Sequence, residues 1–179
     1  MKRTESEMFT LIWQFVKKHP EIEIVGTEGS RNNPHVSPDE FQDFDITFFV
    51  SRPSHLIKFR NLDYEEIFGE ITIFQSPSGI FEDDYGVVKM IQFTDGNRID
   101  LKVRLLSSLS DYLNEDSLNH IVWGGEDRET SDLTWRVKSP TQDEFLECIN
   151  EFYWVAIYVA KGIKRNQLIY ANSTFELIR

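Results

Sequence analysis

The chain has 179 residues, enough to bury one full core and the beginning of a second unit. Its formal net charge of −11 argues against a nucleic-acid substrate, whose phosphates it would repel, and suits a small polycation. The single cysteine, Cys148, excludes an intramolecular disulfide, and no apolar run is long enough to cross a bilayer.

Met1-Lys2-Arg3-Thr4 leads into a mixed amphipathic stretch without the apolar core of a signal peptide, so the cytoplasm is the expected location. Thr4-Glu5-Ser6-Glu7 reads as a capping box, and Met8, Leu11, Ile12, Phe15 and Val16 follow at helical spacing. Pro20 ends that helix, and a strand begins at Ile22. A Gly29-Ser30 turn follows, then a polar loop over 32–39 broken by Pro34 and Pro38, then a second apolar strand opening at Asp43. Pro53–Arg60 reads as a short helix, 71–74 as a strand and 76–86 as a loop. Val87–Phe93 and Arg98–Leu105 form a hairpin across Thr94-Asp95-Gly96-Asn97, whose Asp-Gly step is a strong turn signal. Residues 108–118 are expected to be helical and 124–135 irregular.

Thr141-Gln142-Asp143-Glu144 is a second capping box, opening a helix to about Lys161 with Gly162 as its expected stop. Cys148 falls in the apolar pattern of this helix and reads as a small core residue. A last helical stretch covers 165–179. Residues 1–138 are therefore expected to form one domain, and 139–179 the first helices of a helical domain whose remainder is missing. The apolar faces of these two helices predict exposed surface, covered by self-association as a homodimer or by further chain.

The chemistry concentrates in two segments. In the strand Asp43-Phe44-Asp45-Ile46-Thr47-Phe48-Phe49-Val50, side chains alternate faces, so Asp43 and Asp45 point one way while Phe44, Ile46, Phe48 and Val50 enter the core. Two carboxylates on one face suit a hard divalent cation. The Gly29-Ser30 turn ahead of them offers backbone N–H groups and a hydroxyl to phosphate. Arg98-Ile99-Asp100-Leu101-Lys102-Val103-Arg104-Leu105 alternates along its length, which puts Asp100 on the polar face. Taken singly, an Asp-x-Asp is more often a solvated strand edge and a Gly-Ser step a plain turn; together, at this spacing, chance is a poor explanation.

The Gly-Ser turn, spacer and Asp-x-Asp strand resemble the nucleotidyltransferase superfamily typified by DNA polymerase beta, which carries a third carboxylate on a neighbouring strand. Glu28-Gly29-Ser30-Arg31-Asn32-Asn33-Pro34, Phe41-Gln42-Asp43-Phe44-Asp45-Ile46 and Asp95-Gly96-Asn97-Arg98-Ile99-Asp100-Leu101 look like the aminoglycoside 6-adenylyltransferases, also called streptomycin adenylyltransferases. Asn150-Glu151-Phe152-Tyr153-Trp154, Tyr158-Val159-Ala160-Lys161-Gly162 and the opening Arg3-Thr4-Glu5-Ser6-Glu7-Met8-Phe9 are similar to the same family. The resemblance covers nearly the whole chain; 79–85 and 107–129 match poorly. It implies an α+β protein with the nucleotidyltransferase fold, a mixed β-sheet flanked by helices and followed by the start of a C-terminal helical bundle.

The reaction implied by the resemblance is transfer of AMP from ATP to a hydroxyl of a streptomycin-like aminoglycoside, releasing pyrophosphate. Asp43 and Asp45 would hold one or two Mg²⁺, and Asp100 would share a metal and accept or orient the proton of the attacking hydroxyl. Gly29 and Ser30 would hold the terminal phosphates. Arg31 would add charge there or pair with a nearby carboxylate. Lys161 is a weaker candidate for a triphosphate contact, its alternative being a solvated helix end. Glu82, Asp83, Asp84 and Glu126 are acidic loop candidates for guanidinium groups of the substrate. Two other readings stand beside this one: a non-catalytic nucleotidyltransferase-like module, such as a toxin–antitoxin antitoxin, and the same enzyme class with a lincosamide or protein hydroxyl as acceptor.

Overall fold

A computed structural model describes residues 1–77, 86–126 and 128–179. The chain divides into two compact units, Met1–Trp135 and Arg136–Arg179.

In the first unit, helix α1 (Glu5–Lys18) starts at the expected capping box: Glu7 accepts from the Thr4 backbone N–H at 2.7 Å while the Thr4 hydroxyl accepts from the Glu7 N–H at 3.3 Å. Lys17 and Lys18 in its last turn complement the helix dipole. Among the described residues six strands follow: β1 (Ile22–Thr27), β2 (Phe44–Val50), β3 (Ile71–Gln75), β4 (Val87–Phe93), β5 (Arg98–Leu105) and β6 (His120–Trp123). A 3₁₀ turn, Gly29–Asn32, follows β1; α2 (Pro53–Arg60) and α3 (Tyr64–Phe68) lie between β2 and β3, and α4 (Leu109–Glu115) between β5 and β6.

The strands form one sheet in the order β3-β4-β5-β2-β1-β6. β2 and β5 are parallel and every other neighbouring pair is antiparallel, so the sheet is mixed. A parallel pair needs a long crossover; here α2, α3 and the β3–β4 hairpin strands supply it. The alternation read from the sequence holds on both central strands. Phe44, Ile46, Phe48 and Val50 of β2 and Ile99, Leu101 and Val103 of β5 pack with Met8, Ile12, Phe15 and Val16 of α1. The Phe15 ring stacks on Phe48 at 5.5 Å and meets Phe59 edge-on at 5.9 Å. A smaller cluster on the other face joins Ile24, Phe49, Ile121 and Tyr112, whose hydroxyl donates to the Thr27 carbonyl at 2.9 Å. That leaves Asp45, Thr47, Asp100, Lys102 and Arg104 on the face away from α1, where the sheet is only partly covered.

Two elements have no counterpart in the sequence reading. Helix α3 is a single capped turn, the Asp63 side chain accepting from the N–H groups of Glu65 and Glu66, both at 3.1 Å. Strand β6 pairs with β1 through Gly26↔Ile121 and has too few residues for a visible alternation.

In the second unit, α5 (Gln142–Lys164) opens at the Thr141–Glu144 capping box as expected, but Gly162 does not stop it. Gly162 is buried against α6 (Leu168–Phe175), where a Cβ would stand 2.8 Å from that of Ala171, so its missing side chain serves close helix contact. The chain reverses instead at Asn166, which takes a left-handed φ of 56°. Cys148 is exposed, not a core residue: with only α6 packed on α5 in this unit, the stripe that carries it has nothing to bury it. Among the described residues no helix is long and apolar enough to cross a membrane.

Candidate functional site

Asp45 and Asp100 are register partners on the parallel strands β2 and β5, with Phe44↔Ile99 and Ile46↔Leu101 on either side. Both carboxylates therefore leave the sheet on the same face, next to each other, at the N-terminal ends of the two strands. Asp43 stands one residue ahead of β2 and joins them. Its Oδ2 lies 3.4 Å from Nη1 of Arg98, whose Nε and Nη2 donate to the two oxygens of Asp100 at 2.8 and 2.7 Å. The guanidinium thus bridges Asp43 and Asp100. Among the described residues no three His, Cys, Asp or Glu side chains are drawn together as a metal-ligand set; at this position the cation between the carboxylates is Arg98.

A fourth carboxylate, Glu28, lies on the inner side of Asp45. Its Oε1 accepts from the hydroxyl of Thr47 and its Oε2 from Nζ of Lys102 at 2.5 Å, while its backbone N–H donates to the Asp45 carbonyl at 3.1 Å. Burial first, and then the charges of Asp100, Glu28 and Asp43, push Asp45 up to about 6; Lys102 acts the other way. Asp43 is also raised, by burial, with Arg98 opposing and Asp100 reinforcing the shift. Carboxylates that resist ionisation in isolation gain most from a bound cation, and an all-oxygen donor set of this kind fits a hard divalent ion.

The phosphate-type turn is in contact with this cluster. Gly29 has φ of 71°, and a Cβ built on it would come within 2.5 Å of Asp45 Oδ2. Ser30 is exposed on the 3₁₀ turn, and its carbonyl accepts from Asn33 N–H at 3.2 Å. Arg31 is engaged with the protein itself. Its Nε and Nη2 donate to the carbonyls of Asp43 and Gln42 at 2.8 and 2.9 Å, Nη1 pairs with Glu5 at 3.2 Å, and the guanidinium covers the Phe44 ring at 3.9 Å. Of the two roles read from the sequence, this geometry holds the segment ahead of β2 in place and pairs with a carboxylate. Asn32 anchors the far side of the turn, donating to the Leu118 carbonyl at 2.8 Å. A cleft of about 230 Å³ opens beside the turn, lined by Glu28, Arg31, Asn32 and Asp45 with Phe9 and Trp13 of α1.

Lys161 belongs to the second unit, on α5, with Nζ 5.3 Å from the centre of the Tyr158 ring. Glu82, Asp83 and Asp84 lie outside the described residues, and Glu126 is exposed. Sequence reasoning passed over Arg98, Lys102 and Glu28. The first two were within reach: both share the face of Asp100 by strict alternation on β5. Glu28 was not, because its inward turn depends on Thr47 and Lys102 from two other strands.

The sequence profile of the streptomycin adenylyltransferase family matches residues 2–179. An aminoglycoside 6-adenylyltransferase of Staphylococcus aureus is 32% identical over 98% of this chain and 65% of its own length. Those of Campylobacter jejuni and Bacillus subtilis (strain 168) are each 34% identical over 94% of this chain, and 61% and 62% of their own lengths. The crystal structure of an aminoglycoside 6-adenyltransferase from Bacillus subtilis is similar with a TM-score of 0.51 and 27% identity, over 97% of this chain and 62% of that one. The chain therefore spans a little under two thirds of the length of these relatives, and its α+β architecture is the nucleotidyltransferase fold they share.

Proposed function

Because the chain belongs to the streptomycin adenylyltransferase family, we propose that it transfers AMP from ATP to a hydroxyl of an aminoglycoside, with release of pyrophosphate, in the cytoplasm. The observation that carries this reading is the in-register pair Asp45 and Asp100, with Asp43 beside them and the Gly29 turn pressed against Asp45. The names of the relatives support the donor group and the acceptor class.

Asp43 and Asp45, with Asp100, are the residues that would hold one or two Mg²⁺. When bound, such an ion neutralises charge on the triphosphate and on the departing pyrophosphate. The other demands fall on the chain itself. Backbone N–H groups of the Gly29–Asn32 turn and the Ser30 hydroxyl, which is exposed, are suited to grip terminal phosphates. Asp100, on the solvent-facing side of β5, is suited to take the proton of the attacking hydroxyl. Lys102 holds Glu28 in place beside Asp45, and Arg31 fixes the backbone that carries Asp43. The net charge of −11 favours a polycationic acceptor.

Incubation of the chain with ATP, Mg²⁺ and a panel of aminoglycosides, reading pyrophosphate release and the mass of the product, tests the proposal. An acceptor gaining one adenylyl group is expected, with Asp100→Asn slower on the order of 10²–10⁴-fold, the usual worth of a general base. Metal and nucleotide binding with no adenylyl transfer to any aminoglycoside would favour a different acceptor, and no binding of either a non-catalytic module.

A further inference from the structure

Among the described residues Arg98 is the one side chain that touches two of the three aspartates at once, and no role in the reaction above requires it. It is bidentate to Asp100 and reaches Asp43 at 3.4 Å. Its charge therefore lies where the proposed function puts a divalent ion, between the carboxylates of Asp43 and Asp100. A guanidinium cannot relieve such a cluster by losing its proton, since it stays charged at every accessible pH. A competing cation at the carboxylates therefore displaces it as an intact charge, with solvent open to receive it.

The surroundings allow that departure. Arg98 is half-exposed, with 39% of its side chain open to solvent, and it sits at the first residue of β5. On its far side lies a shallow groove of about 210 Å³ lined by Ile73, Gln75, Met90 and Gln92, on strands β3 and β4. These strands bring their solvent-facing side chains beside Asp100 and Arg98 through the pairs Met90↔Asp100 and Gln92↔Arg98. Lys102 makes the contrast. It lies on the same face of β5 but is committed to the inward Glu28 and bridges none of the three aspartates. The two basic residues flanking Asp100 are equally exposed but differ in partner: Lys102 pairs with Glu28, whereas Arg98 rests on Asp43 and Asp100 beside the groove.

We propose that Arg98 is a built-in counter-cation that ties Asp43 to Asp100 in the metal-free protein and is displaced from both when a divalent ion binds, swinging toward the β3–β4 groove. The proposal rests on the metal-binding reading given above. Arg98 competes with the metal in this scheme, so its removal strengthens metal binding while leaving the metal-free protein less stable. A residue that merely orients Asp100 would do the reverse to affinity, because its loss lets the carboxylate drift.

Calorimetric titration with Mn²⁺ alone, without nucleotide, on wild type, R98Q, R98K and D45N separates these cases, together with thermal melts with and without the ion. R98Q is expected to bind Mn²⁺ tighter on the order of tenfold, to melt lower without metal, and to gain more than wild type on adding it. R98K retains a charge but not the two-pronged bridge, so it should fall between them and remains informative if R98Q does not fold. Equal or weaker Mn²⁺ binding by folded R98Q or R98K, with wild type binding and D45N not, overturns the role of Arg98 and leaves the metal site standing. No binding by any of the four overturns both.

Discussion

The Cα of Gly29 lies so close to the carboxylate of Asp45 that a methyl group on it would stand 2.5 Å from Oδ2. The phosphate-type turn and the metal-type carboxylate are thus one packing unit, and the left-handed φ of 71° at Gly29 sets how the turn meets the strand. Gly29→Ala meets both constraints at once. It should cost roughly 1–3 kcal/mol of stability through strain at positive φ and the displaced carboxylate. Adenylyl transfer should fall at least about tenfold, since a shift of this size misplaces reacting groups. Denaturant melts and initial rates measured on one preparation check it; an alanine variant with wild-type melting and rate would show that the turn does not constrain Asp45.

The raised Asp45 gives a pH signature with a definite sign. Its value in the folded, metal-free protein is about 6, against 3.8 for an ordinary Asp, so the native state holds the proton more tightly than the unfolded one. Its contribution to stability is therefore lost as pH rises from about 4 to about 6, with the Asp45 anion a burden on the metal-free fold at pH 7. Asp45→Asn should raise the melting temperature of the metal-free protein at pH 7, flatten its pH dependence across that window, and remove most of its Mn²⁺ affinity. Wild type should bind Mn²⁺ more weakly as pH falls through about 6. Melts from pH 4 to 8 and titration of both proteins decide it; equal metal affinity in the two would move the site elsewhere.

Asp95 supplies a structural prediction of opposite sign. Burial alone would raise it, but Arg3 donates to it from Nε and from its backbone N–H, and Asn97 donates from its backbone, so the carboxyl is held well below the usual range. Arg3 continues to the Phe68 carbonyl, tying the start of the chain to the β4–β5 turn and to α3. A depressed carboxyl contributes stability that is present above its unfolded value and is lost as pH falls below about 4. Asp95→Asn should cost roughly 1.5–3 kcal/mol at pH 7, the usual worth of hydrogen bonds to a charged group, and much less near pH 2. Chemical denaturation at the two pH values measures the difference.

The two central strands could be read from sequence because polar residues alternate with core-facing apolar ones along β5 and at the start of β2, which placed Asp45 and Asp100 on one face. Both capping boxes were legible for a similar reason: Thr4 with Glu7, and Thr141 with Glu144, are short-range bonds written within one turn. What stayed hidden depends on contacts distant in sequence. Gly162 looked like a stop because nothing local says that Ala171 will lie on it. Arg98 looked like an ordinary strand residue because its meaning comes from Asp43, more than fifty residues earlier and just ahead of β2. The single-turn α3 and the short edge strand β6 carry too few residues for any period to show.

The second unit carries the last prediction. Helix α5 packs on α6 around Val155, Gly162, Ala171 and Thr174, a narrow seam of mostly small side chains. Outside that seam Phe152, Tyr153, Trp154 and Ile157 of α5 and Leu168 and Phe175 of α6 are all exposed. Exposed apolar side chains in this number are costly in water and are normally covered by a partner. We expect the chain to self-associate through these two helices, with an apparent mass that rises with concentration in light scattering. Phe152→Glu combined with Leu168→Glu should shift it toward monomer, because two charges cannot be desolvated in the contact without partners. The metal affinity of the first unit should not change, since Asp43, Asp45 and Asp100 all lie in Met1–Trp135. A monomeric mass for wild type at every concentration, or an unchanged dimer in the double variant, would show that these faces are not where copies of the chain meet.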